Sequence, residues 1–111
     1  MKYQIISTPV FDKQIKALNK KYPSIKQDIT RLFGEILKNP QAGKLLFDDV
    51  YKIRMAITSK GKGKSGGARV IYFNMFAKRA DNNTIAMLSI YDKSEHETIT
   101  DKQIREALEY I

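Results

Sequence analysis

Residues 8–40 read TPVFDKQIKALNKKYPSIKQDITRLFGEILKNP, and this stretch decides the fold. Thr8-Pro9 has the form of a helix start, a hydroxyl N-cap followed by proline at the first helical position. Phe11, Ile15 and Leu18 recur at helical spacing, so the first helix runs to about Tyr22. Pro23 opens a second helix in the same way. Ile25, Ile29, Leu32, Phe33 and Ile36 form its apolar stripe, and Asn39-Pro40 ends it. Two helices one or two residues apart fold back as an antiparallel hairpin, one face of which must cover a sheet.

The flanking sequence supplies that sheet. Tyr3–Thr8 (YQIIST) is an alternating β-prone run, Lys44–Phe47 a short strand candidate and Asp48-Asp49 a turn. In Tyr51–Ile57, Ile53, Met55 and Ile57 alternate with Lys52, Arg54 and Ala56, which puts Lys52 and Arg54 together on one face. Ala68–Phe76 and Thr84–Tyr91 are apolar on both faces, as central strands are, and Asp81-Asn82-Asn83 between them signals a hairpin turn. A last helix over roughly Thr100–Tyr110 has Thr100 as N-cap and Gln103 at the capping-box position. The order β-α-α-β-β-β-β-α predicts an α+β fold. The helix hairpin packs on one face of a mainly antiparallel sheet of four to five strands, and a short C-terminal helix follows.

The 111 residues make one domain, 1–111. With no cysteine and one histidine, His96, neither a disulfide framework nor a cysteine or histidine metal centre is expected. No segment reads as a signal peptide or approaches the roughly 18–20 apolar residues of a membrane span, so the expected location is the cytoplasm. Basicity can also serve an anionic membrane surface, but no lysine-rich amphipathic helix accompanies it here.

Charge is the second signal. Residues 50–80 hold eight basic side chains (Lys52, Arg54, Lys60, Lys62, Lys64, Arg69, Lys78 and Arg79) and no acidic one. The other 80 residues balance at 12 of each sign, so the whole formal charge of +8 lies in this stretch. A local imbalance of this kind is the footprint of a polyanion site, and nucleic acid is the first reading. Within it, Lys60–Gly67 (KGKGKSGG) reads as a mobile basic loop running straight into a buried strand. Gly63-Lys64-Ser65 spells the end of a phosphate-binding nucleotide loop, but Thr58 stands where that motif needs glycine, and the loop joins two strands. Arg69 shares a strand face with Ile71, Phe73 and Met75, so its planar, always-charged fork is tethered; Tyr72 on the other face reads as core. Tyr91, Lys93, Glu95 and His96 follow the last strand with a phenol, an ammonium, a carboxylate and an imidazole, all usable in proton transfer.

Lys52–Arg54 (KIR), Lys60–Tyr72 (KGKGKSGGARVIY) and Leu88–Glu95 (LSIYDKSE), with the element order, resemble the RelE/ParE superfamily of bacterial toxins, most closely its HigB-like branch. That resemblance implies a ribosome-dependent endoribonuclease. It cuts mRNA in the ribosomal A site, beside rRNA, and is silenced by a cognate helix-turn-helix antitoxin. Carried over residue by residue, Lys60, Lys62 and Lys64 fall on the family's RNA-contacting loop, with Lys60 among the catalytic set. Arg69 falls on the arginine at the scissile phosphate, and Lys93 on the basic residue after the last strand. Lys52, Arg54, Lys78 and Arg79 would bind RNA or ribosome. Where some relatives place a functional tyrosine this chain has Ile99, so Tyr91 or the accessory Glu95 and His96 are the other proton-transfer candidates. The implied chemistry uses no metal and no cofactor: the ribose 2′-hydroxyl attacks the adjacent phosphorus, giving a 2′,3′-cyclic phosphate and a free 5′-hydroxyl. Two other readings stand beside it. One is a ParE-like gyrase poison, against which the basic constellation argues; the other is a nucleic-acid-binding module without catalysis, or a decayed toxin that keeps only its antitoxin surface.

Overall fold

The computed structural model describes residues 3–75, 84–94 and 100–109. Strand β1 (Gln4–Ser7) leads into helix α1 (Pro9–Lys21), where Thr8 is the cap: its Oγ1 accepts the Phe11 N–H at 3.3 Å. Helix α2 (Ile25–Lys38) begins two residues later than the proline suggests. Ser24 is its N-cap residue but makes no capping bond, because its hydroxyl is drawn to Asp28 and Ser59 instead. Strands β2 (Lys44–Phe47), β3 (Val50–Met55), β4 (Ala68–Asn74) and β5 (Thr84–Asp92) follow, then helix α3 (Asp101–Leu108). The expected capping box opens α3, with Thr100 and Gln103 bonded reciprocally. The strand expected over Tyr51–Ile57 starts and stops earlier, because its pairing with β4 ends at Met55↔Ala68.

The five strands run in the order β1-β5-β4-β3-β2. All neighbours are antiparallel except β1 and β5, which are parallel from Gln4↔Thr84 to Ser7↔Met87. The hairpin of α1 and α2 covers one face. Phe11, Leu18, Ile25, Ile29, Leu32 and Ile36 meet Tyr51, Ile53, Met55, Val70, Tyr72 and Met87 there. Tyr72 is core, as its position suggests: it is fully buried, stacks on Tyr51 with ring centroids 5.4 Å apart, and donates its hydroxyl to Pro40 O at 2.9 Å.

The other face is covered over part of its length. Helix α3 lays Ile104 and Ala107 on Val50, Ile71, Phe73, Ala86 and Leu88. Toward the start of β4 and the end of β5 the same face continues beyond these apolar residues, and there the basic residues stand.

Candidate nucleic-acid interface

Register fixes which side chains meet. Arg54 on β3 lies opposite Arg69 on β4, and Arg69 lies opposite Tyr91 on β5. One step along, Lys44 on β2 is opposite Lys52 on β3, which is opposite Ile71. Ile71 packs under α3, so both rows belong to the face that α3 partly covers. The expectation that Lys52 and Arg54 share a face holds. Lys93 follows β5 and donates its N–H to Gly67 O at 3.1 Å, one rung beyond Ala68↔Asp92, and alternation sets it on the side of Tyr91 and Arg69.

This is an unusual way to spend cross-strand pairs. Like charges directly opposite one another repel, by roughly 0.2–1 kcal/mol per pair. Here arginine faces arginine and lysine faces lysine in adjacent rows, and among the described residues no carboxylate pairs with any of the four. An anion laid across both rows removes the repulsion.

Arg69 is 6% exposed, and its guanidinium reaches the loop above it. Nη1 donates to Lys64 O at 3.1 Å and Ala68 O at 3.2 Å, and Nη2 to Ser65 O at 3.3 Å. The side chain is tethered, as its place in an apolar strand suggests, but what it holds is the backbone of the lysine loop. Lys62 and Lys64 are exposed on that loop.

The loop whose glycines suggest mobility is bonded to the rest of the fold at both ends. Asp28 of α2 accepts from the Thr58 N–H at 3.0 Å and the Thr58 hydroxyl at 2.5 Å, while the Ser59 N–H donates to Ser24 Oγ at 2.8 Å. Burial works to raise the Asp28 carboxyl, but the hydroxyls of Thr58 and Ser24, the Thr58 N–H and Arg31 hold it below the usual carboxylate range. Gly61 takes a left-handed φ of 74° to close the 3₁₀ turn. Gly67 brings the chain back against β3 so closely that a Cβ there would lie 2.1 Å from Met55 O. Loop and sheet are thus one built surface.

Lys60, expected among the reacting groups, is paired with a carboxylate and a hydroxyl at the end of β5. Its Nζ lies 2.7 Å from Asp92 Oδ1 and 2.8 Å from Ser94 Oγ, with the Tyr22 ring 5.9 Å away. The reason is electrostatic: Asp92 is fully buried and captures the nearest ammonium. Asp92 also accepts from the Tyr22 hydroxyl. Burial pushes its carboxyl up, yet the bonds from Lys60, Tyr22 and Ser94 win and hold it well below the usual range. The same bond, with burial and the Asp92 charge, raises the Tyr22 phenol. Lys78, Arg79, Glu95 and His96 lie outside the described residues.

Sequence reasoning missed Lys44, Asp92, Asp28 and Tyr22. Lys44 needed the β2–β3 register. The two aspartates carried a legible signal: Asp28 falls on the apolar stripe of α2, and Asp92 ends a run of buried strand residues.

Among the described residues no helix is long and apolar enough to cross a membrane, and no cluster of histidine or acidic side chains could hold a metal ion. No family model matches the sequence. Among solved structures, the toxin RelE of E. coli, in the free state and as a double arginine-to-alanine mutant, superposes over 100% of this chain and 99% of its own, with a TM-score of 0.61 at 21% identity. The hairpin on one face, the five-stranded sheet and the terminal helix of this chain are thus those of a RelE-like fold.

Proposed function

We propose that this chain is a toxin of the RelE type, a ribosome-dependent endoribonuclease that cuts translated mRNA and is restrained by a cognate antitoxin. The observation that carries the reading is the pair of like-charge rows, Arg54↔Arg69 and Lys44↔Lys52, beside Tyr91, Lys93 and the lysine loop. Like charges directly opposite one another across a sheet are destabilising, and a polyanion laid over them offsets that cost. A phosphodiester backbone fits a surface more than one row deep.

The chemistry follows from what these groups offer. The 2′-hydroxyl must lose a proton, attack the neighbouring phosphorus in line, and displace the 5′-oxygen, which takes up a proton. Arg69 is fixed from both sides, by its strand and by the loop carbonyls, so its charge is already in place when the phosphorane forms. Preorganised charge of that kind stabilises a transition state without reorganising at the moment of reaction. Tyr91, its register neighbour, and Lys93, just beyond, bring the transferable protons. Lys44, Lys52, Arg54, Lys62 and Lys64 grip the flanking phosphates, and Lys60 is left to the architecture. The antitoxin would have to cover this face, and mRNA and rRNA in the ribosomal A site would be what it excludes.

The test is inducible expression in a bacterial host followed by mapping of mRNA 5′ ends. Cuts that fall in frame and vanish when translation of the message is blocked are the expected result. Growth arrest with intact mRNA and damaged DNA topology would point to a gyrase poison; full-rate translation on expression would end the toxin reading.

A further inference from the structure

One carboxylate outside the basic face is wired into three parts of the molecule. Asp92 is the last residue of β5 and is fully buried. It accepts from Tyr22, the C-cap of α1, and from Lys60, at the root of the lysine loop. It also accepts from both the N–H and the hydroxyl of Ser94, at 3.0 and 2.8 Å. Those last two bonds make a side-chain-closed turn over residues 92–94, and Lys93 sits at its centre. The Lys60 side chain is 12% exposed, so its bond to Asp92 is sheltered from solvent.

Each bond therefore holds something that flanks Arg69. Through Lys60, Asp92 fixes where the loop leaves β3, and Lys62 and Lys64 follow from there. Through Ser94, it fixes the direction in which Lys93 leaves β5. Through Tyr22, it ties both to the helix hairpin, which is rigid core. Arg69 closes the far side of the same loop at Lys64 and Ser65. Remove Asp92 and the loop remains attached at Asp28 and Arg69 but loses its anchor to the end of β5.

We propose that Asp92 is a positioning residue, acting through Lys60 and the 92–94 turn to set the lysine loop and Lys93 at their working distance from Arg69. This rests on the reading of the face as an RNA site. It predicts that Asp92 touches no substrate and yet controls the rate, since displacing a catalytic group by about 1 Å can cost about 10²-fold.

The experiment is single-turnover cleavage of ribosome-bound mRNA by Asp92→Asn, Lys60→Met and the double variant, with ribosome titration to separate maximal rate from half-saturation. Amide hydrogen exchange of each variant runs alongside. Asp92→Asn should lower the maximal rate about 10- to 100-fold and leave half-saturation within about threefold. The double variant should be no slower than the slower single, because both break one linkage. Exchange should quicken at residues 59–67 and at Lys93 while α1 and α2 stay protected. A folded Asp92→Asn protein that cleaves at the wild-type maximal rate, or additive effects in the double variant, would overturn the proposal. If Asp92→Asn does not fold, Lys60→Met breaks the same linkage from its other end, and unchanged exchange at residues 59–67 in it would count equally against. The exchange arm needs no activity. A wild-type protein that never cleaves would therefore defeat the endoribonuclease reading while still showing whether Asp92 holds the loop.

Discussion

Replacing Arg69 by alanine tests the two jobs assigned to that side chain, because they predict losses in different measurements. The first is structural. The guanidinium makes three bonds to carbonyls, of which Lys64 O and Ser65 O belong to the loop. At 3.1–3.3 Å these are long for charge-assisted bonds, and water can replace them at exposed residues, so each loop bond is worth about 1 kcal/mol. The buried stem contributes about 0.8 kcal/mol per methylene. Relief of the repulsion from Arg54 returns roughly 0.5 kcal/mol. The expected loss of stability is about 3 kcal/mol, read as a lowered urea midpoint with unchanged slope. The second job is chemical, and losing one preorganised charge at the phosphorane should slow single-turnover cleavage about 10²–10³-fold while ribosome affinity falls modestly. Arg69→Lys separates the two. It keeps a charge but not the fork, so it should recover part of the rate and little of the loop anchoring. An alanine variant within about 0.5 kcal/mol of wild type would refute the clamp, and full cleavage by it would remove Arg69 from the mechanism.

Gly67→Ala sets a methyl 2.1 Å from Met55 O, so β3 and β4 must part or the loop must shift; thermal unfolding should show a loss of about 3 kcal/mol. Stability should fall as pH drops through the ordinary carboxylate value of 3.8. Asp92 and Asp28 sit below it when folded, so the unfolded chain binds more protons there. Urea titrations from pH 6 to pH 3 on Asp92→Asn should show a shallower fall, since its amide gains no proton, and a slope matching wild type would discredit the assignment. Lys44→Ala, Lys62→Ala and Lys64→Ala should each weaken ribosome or RNA binding with little change in maximal rate. Each should also flatten the salt dependence by about 0.7 in log–log slope, measured by titration at several salt concentrations.

Local chemistry carried most of the fold. Thr8-Pro9 and Thr100 with Gln103 act within one helical turn, so their caps could be read from neighbouring residues. Pro23 misled by two residues because Ser24 spends its hydroxyl on Asp28 and Ser59, and the latter lies 35 residues away. The candidate site divides along the same line. Lys52 and Arg54 are alternate residues of one strand, so their shared face was visible. Lys44 joined them only once β2 and β3 were in register. Lys60 looked like one more loop lysine until the fold placed a buried Asp92 beside it, 32 residues on. The glycines suggested looseness, and the bonds from Asp28, Arg69 and Asp92 that anchor the loop come from partners that no local pattern of the loop encodes.

The strand order also dictates when, during synthesis, this surface can come into being. Among the described residues β5 is the last strand made, yet it lies inside the sheet, and β1 has no neighbour in the sheet but β5. A nascent chain whose residues up to Met75 have emerged can build the helix hairpin and the β2–β3–β4 meander, since those contacts are sequential. Arg69 still lacks Tyr91 at its side, Lys60 lacks the carboxylate that holds it, and β1 waits unpaired at the other end of the polypeptide. The basic face is therefore completed only after residues 84–94 have been made and have joined the sheet.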